Sequence, residues 1–344
     1  MGRVFFCMAA YLVFAYPWLR YIDWMTGNVI LSIGVSTVLW ILGMAGMRYS
    51  FSGPNQRIRY LVVHWVGAGF ILASITFIAE FVRLLTNYPD PLIAKWTLIL
   101  GGCVMIIANL FSHHISIREM GILSHKVSRT WRLIQLSDVH VGSRQTGYFA
   151  RVVRKVQKLK PDVVVITGDL IDTSAVGIES LRPLFWLDIP VFFSIGNHEL
   201  YADMDKVMDM SGKLGLRTLR QQSEEFEEFC ITGIDDDPDP NQVSRELPNI
   251  SRNLDKFNIL LYHRPQGWES AIDHGIDLML SGHTHKGQIF PFNFVVRKYF
   301  KRIHGLYSHE GRYFYISPGT GTWGPLMRLG SFNEITLFTI MPKQ

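Results

Sequence analysis

Cysteine is scarce: Cys7, Cys103 and Cys230 are the only three in 344 residues, they lie far apart, and the first two sit in apolar runs. That pattern excludes a disulfide framework or a zinc knuckle and leaves the redox compartment open. Charge is scarce too. Asp, Glu, Lys and Arg make up 18% of the chain against 48% hydrophobic residues, which is low for a soluble protein and excludes disorder, collagen and a long coiled coil. No G-x-x-x-x-G-K-[ST] sequence occurs, so a nucleotide-driven motor is not expected. Internal repeats and low-complexity segments are also missing. One G-x-G-x-x-G match, Gly319 to Gly324, is followed at once by Pro325. With no room for a βαβ unit after it, this match reads as a loop and not as a dinucleotide fingerprint.

What the chain does have is apolar length. Residues 4–19, 24–47, 60–79 and 96–112 carry no Asp, Glu, Lys or Arg, and the last three approach or exceed the roughly 20 residues that a helix needs to cross a bilayer. We read four transmembrane helices within a membrane region of residues 1–115. The first is the shortest and contains Pro17, and its bulky end Tyr16-Pro17-Trp18-Leu19-Arg20 offers no small-residue cleavage site for a signal peptidase. Trp18, Tyr21, Trp24 and Trp96 suit an interfacial aromatic belt. Beside the spans, Arg3, Arg48, Arg57, Arg59, Arg118, Lys126, Arg129 and Arg132 fall on one side and Arg20, Arg83 and Lys95 on the other. The positive-inside bias therefore predicts a multi-pass protein of the bacterial inner membrane whose C-terminal part is cytoplasmic. His64 and Glu80 are the candidates for an ion relay around the third span, too few to argue for transport.

After Ser124 the pattern changes to short β-like runs, at residues 132–136, 163–167, 191–195, 259–262, 278–281 and 313–316, most of them bounded by Gly, Pro, Asp or Asn. Between the first two, Val152, Val153, Val156 and Leu159 recur at helical spacing. The stretch 126–344 thus reads as a layered α/β domain. Its acidic residues 235–240 read as a solvated loop.

Five of these runs end in metal-binding residue types, which is where open α/β sheets place functional groups. The first is followed by Ser137-Asp138-Val139-His140, the second by Gly168-Asp169 and the third by Gly196-Asn197-His198-Glu199. The fourth is followed by His263 and the fifth by Gly282-His283-Thr284-His285. Carboxylate with imidazole suits manganese, iron or zinc. Singly, an Asp-x-His is usually a surface pair and a Gly-Asp a turn. Five in succession, each at a strand end, reverse that weighting.

In this order the motifs resemble those of the calcineurin-like metallophosphoesterases over residues 132–330, and most of all the bacterial membrane-associated branch of that family. Ser317-Pro318-Gly319-Thr320-Gly321-Thr322-Trp323-Gly324 resembles that branch's closing loop, whereas Lys286 stands where the branch usually has Gly. The resemblance implies a β-sandwich flanked by helices and two divalent ions, with manganese ahead of iron or zinc. Asp138, His140 and His285 would hold one ion, Asn197, His263 and His283 the other, and Asp169 would bridge them. A water between the ions would become the attacking hydroxide. His198 would face the phosphate and stabilise the transition state or protonate the leaving oxygen. The alternative for His198 is a hydrogen bond that only orients a ligand. For Lys286, contact with substrate phosphate and projection into solvent both stay open.

Phe292, Phe294, Val295, Val296, Tyr299 and Phe300 are interleaved with Arg297, Lys298, Lys301 and Arg302. That pattern fits either an anionic membrane interface or a strand and turn with solvated charge. With the membrane helices it favours a lipid-linked phosphodiester or pyrophosphate as substrate. A nuclease or cyclic-nucleotide phosphodiesterase is the rival enzyme, but nucleic acid is not the expected partner, because membrane-flanking loops account for the basic excess. A catalytically inactive membrane binding protein is the rival from another class.

Overall fold

The computed structural model describes residues 2–52 and 56–343, which divide into two compact units. The helical unit comprises Met1–Phe111 with Gly324–Leu329, and the mixed unit Ser112–Trp323 with Gly330–Gln344.

In the helical unit, α1 is Gly2–Phe14, α2 Tyr16–Thr26, α3 Val29–Ser52, α4 Gln56–Leu85 and α5 Asp90–His113. Three stretches are long and apolar enough to cross a membrane, Val29–Ser50, Arg57–Leu85 and Asp90–His113, with mean hydropathy 2.0, 2.0 and 1.9. The expected first span is instead divided at Ala15, with Pro17 in the first turn of α2. At 1.5 Å per residue neither short helix reaches the roughly 30 Å of a bilayer core, so the four expected spans become three candidates among the described residues. The link between the second and third apolar runs, residues 48–59, is mostly helical, and its residues 53–55 lie outside the described residues. Small residues let the helices close up: a Cβ on Gly43 of α3 would overlap the Phe14 ring of α1, and one on Gly69 of α4 would overlap the Val13 carbonyl. The two relay candidates have structural partners. Glu80 pairs with Arg20. His64 Nδ1 lies 2.7 Å from the Tyr60 carbonyl and His64 Nε2 accepts from the Leu326 N–H at 3.1 Å.

In the mixed unit, the strands are β1 Ile115–Ser124, β2 Trp131–Leu136, β3 Val163–Thr167, β4 Val191–Ser194, β5 Arg217–Leu219, β6 Gln222–Phe226, β7 Phe229–Ile234, β8 Phe257–Tyr262, β9 Leu278–Ser281, β10 Gly305–His309, β11 Arg312–Ile316 and β12 Asn333–Pro342. The helices are α6 Thr146–Lys158, α7 Asn197–Tyr201, α8 Met204–Lys213, α9 Gln242–Glu246, α10 Trp268–Asp273 and α11 Asn293–Tyr299. One sheet has the order β1-β12-β2-β3-β4-β5 and the other β10-β11-β9-β8-β7-β6. Period-two alternation sorts each strand between two cores. Leu133, Val163, Val165 and Phe192 meet Phe229, Ile231, Ile259, Leu261 and Leu278 between the sheets. Ile134, Val164, Ile166 and Phe193 face outward onto Phe149, Val152, Val153 and Val156 of α6. On the far side Leu260, Tyr262 and Met279 pack with Leu247, Trp268 and Phe314. Both faces of the central strands are buried, which is why these strands read as unbroken apolar runs.

Two expectations change. Residues 235–240 are partly interior: Asp235 and Asp236 are buried, Asp235 Oδ2 accepting from Arg220 at 2.8 Å and Asp236 Oδ1 from Arg264 at 2.9 Å. Guanidinium pairing offsets the charge that the sequence reading assigned to solvent. The aromatic and basic segment forms the helix α11 and not a strand.

Trp131 closes the inter-sheet core, its ring edge-on to Phe229 at 5.1 Å and its Nε1 donating to Glu228 Oε2 at 2.6 Å. Trp131→Ala should lower stability by about 3–5 kcal/mol, read as a fall in the urea midpoint of the detergent-solubilised protein. A loss below about 1 kcal/mol would contradict the role given to this core.

Candidate metal centre

The parallel strands β2, β3 and β4 of one sheet and β8 and β9 of the other deliver the polar residues that follow them to one cluster. Asp138 and His140 follow β2, Asp169 follows β3, and Asn197 and His198 open α7 after β4. His263 follows β8, and His283 and His285 follow β9. The turns are sharp. Asp138, His140, Asp169, His283 and His285 all have φ between 47° and 68°, a region that non-glycine residues visit at a cost and mostly at functional sites. Two glycines permit the close approach. A Cβ on Gly196 would collide with the Asp169 carboxylate, and one on Gly282 with the Asp138 carboxylate and the Ser137 hydroxyl.

All eight residues singled out in the sequence come together. Asp138, His140 and His285 offer donor atoms within 4.8 Å of one another, as do Asp138, Asp169 and His263. His140 Nε2 and His285 Nε2 are 3.0 Å apart, and His285 Nε2 is 3.4 Å from Asp138 Oδ1. His263 Nε2 lies 3.2 Å from Asp169 Oδ2 and 3.9 Å from Asp138 Oδ1. His283 Nδ1 is 2.9 Å from Asn197 Oδ1, and its ring is edge-on to His263 at 5.0 Å. His198 stands beside this group: its backbone N–H donates to Asp169 Oδ1 at 2.9 Å and its ring is edge-on to His140 at 4.8 Å.

The donor set fits divalent cations. His263 Nδ1 faces the Thr167 carbonyl at 2.8 Å and therefore carries a proton, while Nε2 is buried and points at two carboxylates. Burial and the neighbouring Asp169 push the Asp138 carboxyl up. Asp169 is held well below the carboxylate range because His263, His140 and His198 outweigh its burial. The same carboxylates overcome burial at His263 and raise it well above the ordinary imidazole value. His140, buried but paired with Asp172, rises to about 8, whereas burial and the charge of His263 push His283 well down. Protons on imidazoles thus supply the positive charge that metal ions would bring.

Two functional carboxylates went unassigned in the sequence. Asp172 accepts from the Ser143 N–H at 2.6 Å, lies 2.6 Å from His140 Nδ1 and is 3.4 Å from His198 Nδ1, so it orients two imidazoles at once. Its one sequence signal is its position three residues after Asp169. Glu199 is buried and accepts from the N–H groups of Asp169, Gly196 and Ile171 at 2.8, 2.9 and 3.1 Å. Burial and Asp169 push it up to about 7 against those three donors, and it ties the β3 and β4 loops together.

Residues 132–287 match the model of the calcineurin-like phosphoesterase family. An uncharacterized metallophosphoesterase of Helicobacter pylori is 34% identical over 242 residues, 66% of this chain and 64% of that one. Another, from Aquifex aeolicus, is 34% identical over 224 residues, 62% of this chain and 85% of its own length. A protein of Danio rerio named transmembrane protein with metallophosphoesterase domain is 34% identical over 233 residues, 60% of this chain and 52% of that one. The match spans less than two thirds of the Helicobacter relative but most of the Aquifex one, and from that coverage and the converging strand ends we conclude that this chain belongs to the calcineurin-like phosphoesterase family.

Proposed function

We propose that this chain is a membrane-anchored two-metal phosphoesterase that hydrolyses a phosphodiester or pyrophosphate of a lipid-linked substrate. The observation that carries the reading is the buried Nε2 of His263, 3.2 Å from Asp169 Oδ2 and 3.9 Å from Asp138 Oδ1. A bound cation would take the place of the imidazole proton that these two carboxylates now hold.

Asp138, His140 and His285 would hold one ion and Asn197, His263 and His283 the other, with Asp169 shared. Manganese suits this nitrogen and oxygen set, as do iron and zinc. Two such ions supply Lewis acidity toward the phosphoryl oxygens and a nucleophile from water at neutral pH. Asp172 fixes His140 in the tautomer that presents Nε2 inward. It also steadies His198 through Nδ1, which leaves the other ring nitrogen to donate to a phosphoryl oxygen or to protonate the leaving oxygen.

The lipid reading is supported by the three apolar helices and by α11, which exposes Phe294 (59%) and Tyr299 (74%) beside exposed Arg297 and Lys298. Phe300, at the end of α11, is edge-on to His283 at 5.3 Å, so this amphipathic segment adjoins the site. By the positive-inside count, the protein sits in the bacterial inner membrane with its catalytic unit in the cytoplasm.

Detergent-purified protein should hydrolyse bis(p-nitrophenyl) phosphate with manganese and not with EDTA; no turnover with any divalent metal would overturn the reading. Asp169→Asn should lose metal, and its rate should fall further than the roughly 10–100-fold expected for Asp172→Asn. His198→Ala should keep its metal content while kcat drops about 10²–10⁴-fold, and loss of metal from this variant would make His198 a ligand. Because His140 must shed a proton held up to about 8 and His263 one held well above the ordinary imidazole value, manganese affinity should weaken by at least about tenfold per pH unit below pH 8. Calorimetric titration that gave a constant Kd from pH 9 to 6 would contradict this.

A further inference from the structure

Two large aromatic side chains stand open to solvent at the metal centre itself. Tyr201 and Trp323 are 74% and 54% exposed, whereas Trp131, Tyr262 and Tyr315 of the same unit are buried. A single exposed ring on a protein surface needs no explanation. These two share a neighbour: each ring centre lies 5.8 Å from that of the His198 imidazole, Tyr201 at 61° to it and Trp323 at 69°, and the His198 ring is 4.8 Å from His140. Among the described residues no ring contact joins Tyr201 to Trp323, so His198 is flanked by two separate aromatic surfaces.

The chain fixes both in place. Tyr201 follows His198 by three residues, on the same face of α7. Trp323 comes from the other end of the domain on a loop tied to the turns that carry the ligands: the Thr320 N–H donates to the Ser137 carbonyl at 2.7 Å and the Gly321 N–H to the Asp138 carbonyl at 2.9 Å. A Cβ on Gly321 would overlap the Val139 carbonyl, so this approach requires glycine. The Gln288 side chain then clasps Trp323 by both backbone groups, its Oε1 accepting from the N–H at 3.1 Å and its Nε2 donating to the carbonyl at 2.9 Å. A firmly held backbone with an open indole can bind a flat group at little ordering cost. His198 Nδ1 lies 3.4 Å from Asp172 Oδ1, which leaves the other ring nitrogen for the leaving oxygen. Whatever is bonded to that oxygen must then lie beside Tyr201 and Trp323, while Phe300 and α11 border the site at a different residue, His283.

We propose that Tyr201 and Trp323 bind the leaving group, and that this group carries a flat aromatic ring stacked against them while the lipid-bearing phosphoryl group stays beside His283 and α11. The inference rests on the phosphoesterase reading above, with His198 as the acid, and narrows it. A P–O bond forms to the oxygen of water, the P–O bond to the ring-bearing group breaks, and its oxygen departs with the proton of His198, which is replaced by the proton that water gave up. Stacking selects for a π face and tolerates different substituents on it.

The test is calorimetric titration of full-length, manganese-loaded protein in detergent with phenylphosphonate and cyclohexylphosphonate, which match in charge and ring size but differ in flatness. The wild type should bind phenylphosphonate about tenfold more tightly. In Tyr201→Leu, and independently in Trp323→Leu, that preference should shrink by about threefold or more, while methylphosphonate binds all three proteins alike. A preference unchanged in both variants overturns the proposal. So does an equal weakening of all three phosphonates, which would make the rings mere supports of His198. Cyclohexylphosphonate binding the wild type as tightly as its flat counterpart would assign this edge of the site to an aliphatic chain and overturn it as well. Hydrolysis of bis(p-nitrophenyl) phosphate by the wild type is measured alongside: absence of metal-dependent turnover sinks the phosphoesterase reading itself, whereas intact turnover without a phenyl preference sinks only the inference drawn here.

Discussion

Burial of both faces of the central strands of each sheet is the constraint from which the rest of the mixed unit follows. A strand such as Val163–Thr167 has no exposed residue along its length, so polar chemistry has no place on it and collects where it ends. Parallel neighbours must then be joined by connections that cross a sheet face, and right-handed crossovers return every one of them to the same edge. The site is therefore a consequence of layering: five loops meet because five buried strands terminate together.

That meeting is energetically unfavourable by itself. Five non-glycine residues hold positive φ, each at a cost of about 1–3 kcal/mol, and two buried carboxylates face each other across imidazoles. The surroundings overdetermine this arrangement. Glu199 clamps three N–H groups from two loops, Asp172 grips His140 and the turn at Ser143, and the Asp138 carboxylate accepts the His283 N–H at 3.0 Å. These contacts rigidify the donors before any ion arrives, so little ordering entropy would have to be lost on binding.

Much of this was legible in the sequence, for a physical reason. Two-sided burial gives continuous apolar runs, and the runs at 163–167 and 278–281 coincide with β3 and β9 to the residue. The residues after them stand out because histidine and aspartate are abrupt after valine and leucine. Illegible were the strands whose pairing is remote or exposed. β1 and β12 pair in parallel from Ile115↔Asn333 to Ser124↔Pro342, a partnership across more than half the chain. β6, Gln-Ser-Glu-Glu-Phe, is a charged edge with no buried residue. Asp172 and Glu199 escaped because their roles depend on which backbone N–H groups fold back onto them, which no local spacing encodes. The break in the first apolar run was signalled by Pro17, yet composition alone let the run pass as one helix.

One feature of the helical unit bears on how the two units can be separated. Residues 324–329 lie late in the chain but belong in space with α4 and α5: the Leu326 N–H is taken by His64 and its carbonyl by Asn109, and the Arg328 N–H donates to the Ala108 carbonyl. A protein cut before Ser112 would keep these six residues and lose every one of those partners. Residues 324–329 would then lose these anchors while Thr320, Gly321 and Trp323 kept theirs to Ser137, Asp138 and Gln288, leaving a short loop free to sample conformations that the helices now forbid. Exchanging the helices would therefore also require redesign of a loop encoded more than 200 residues downstream.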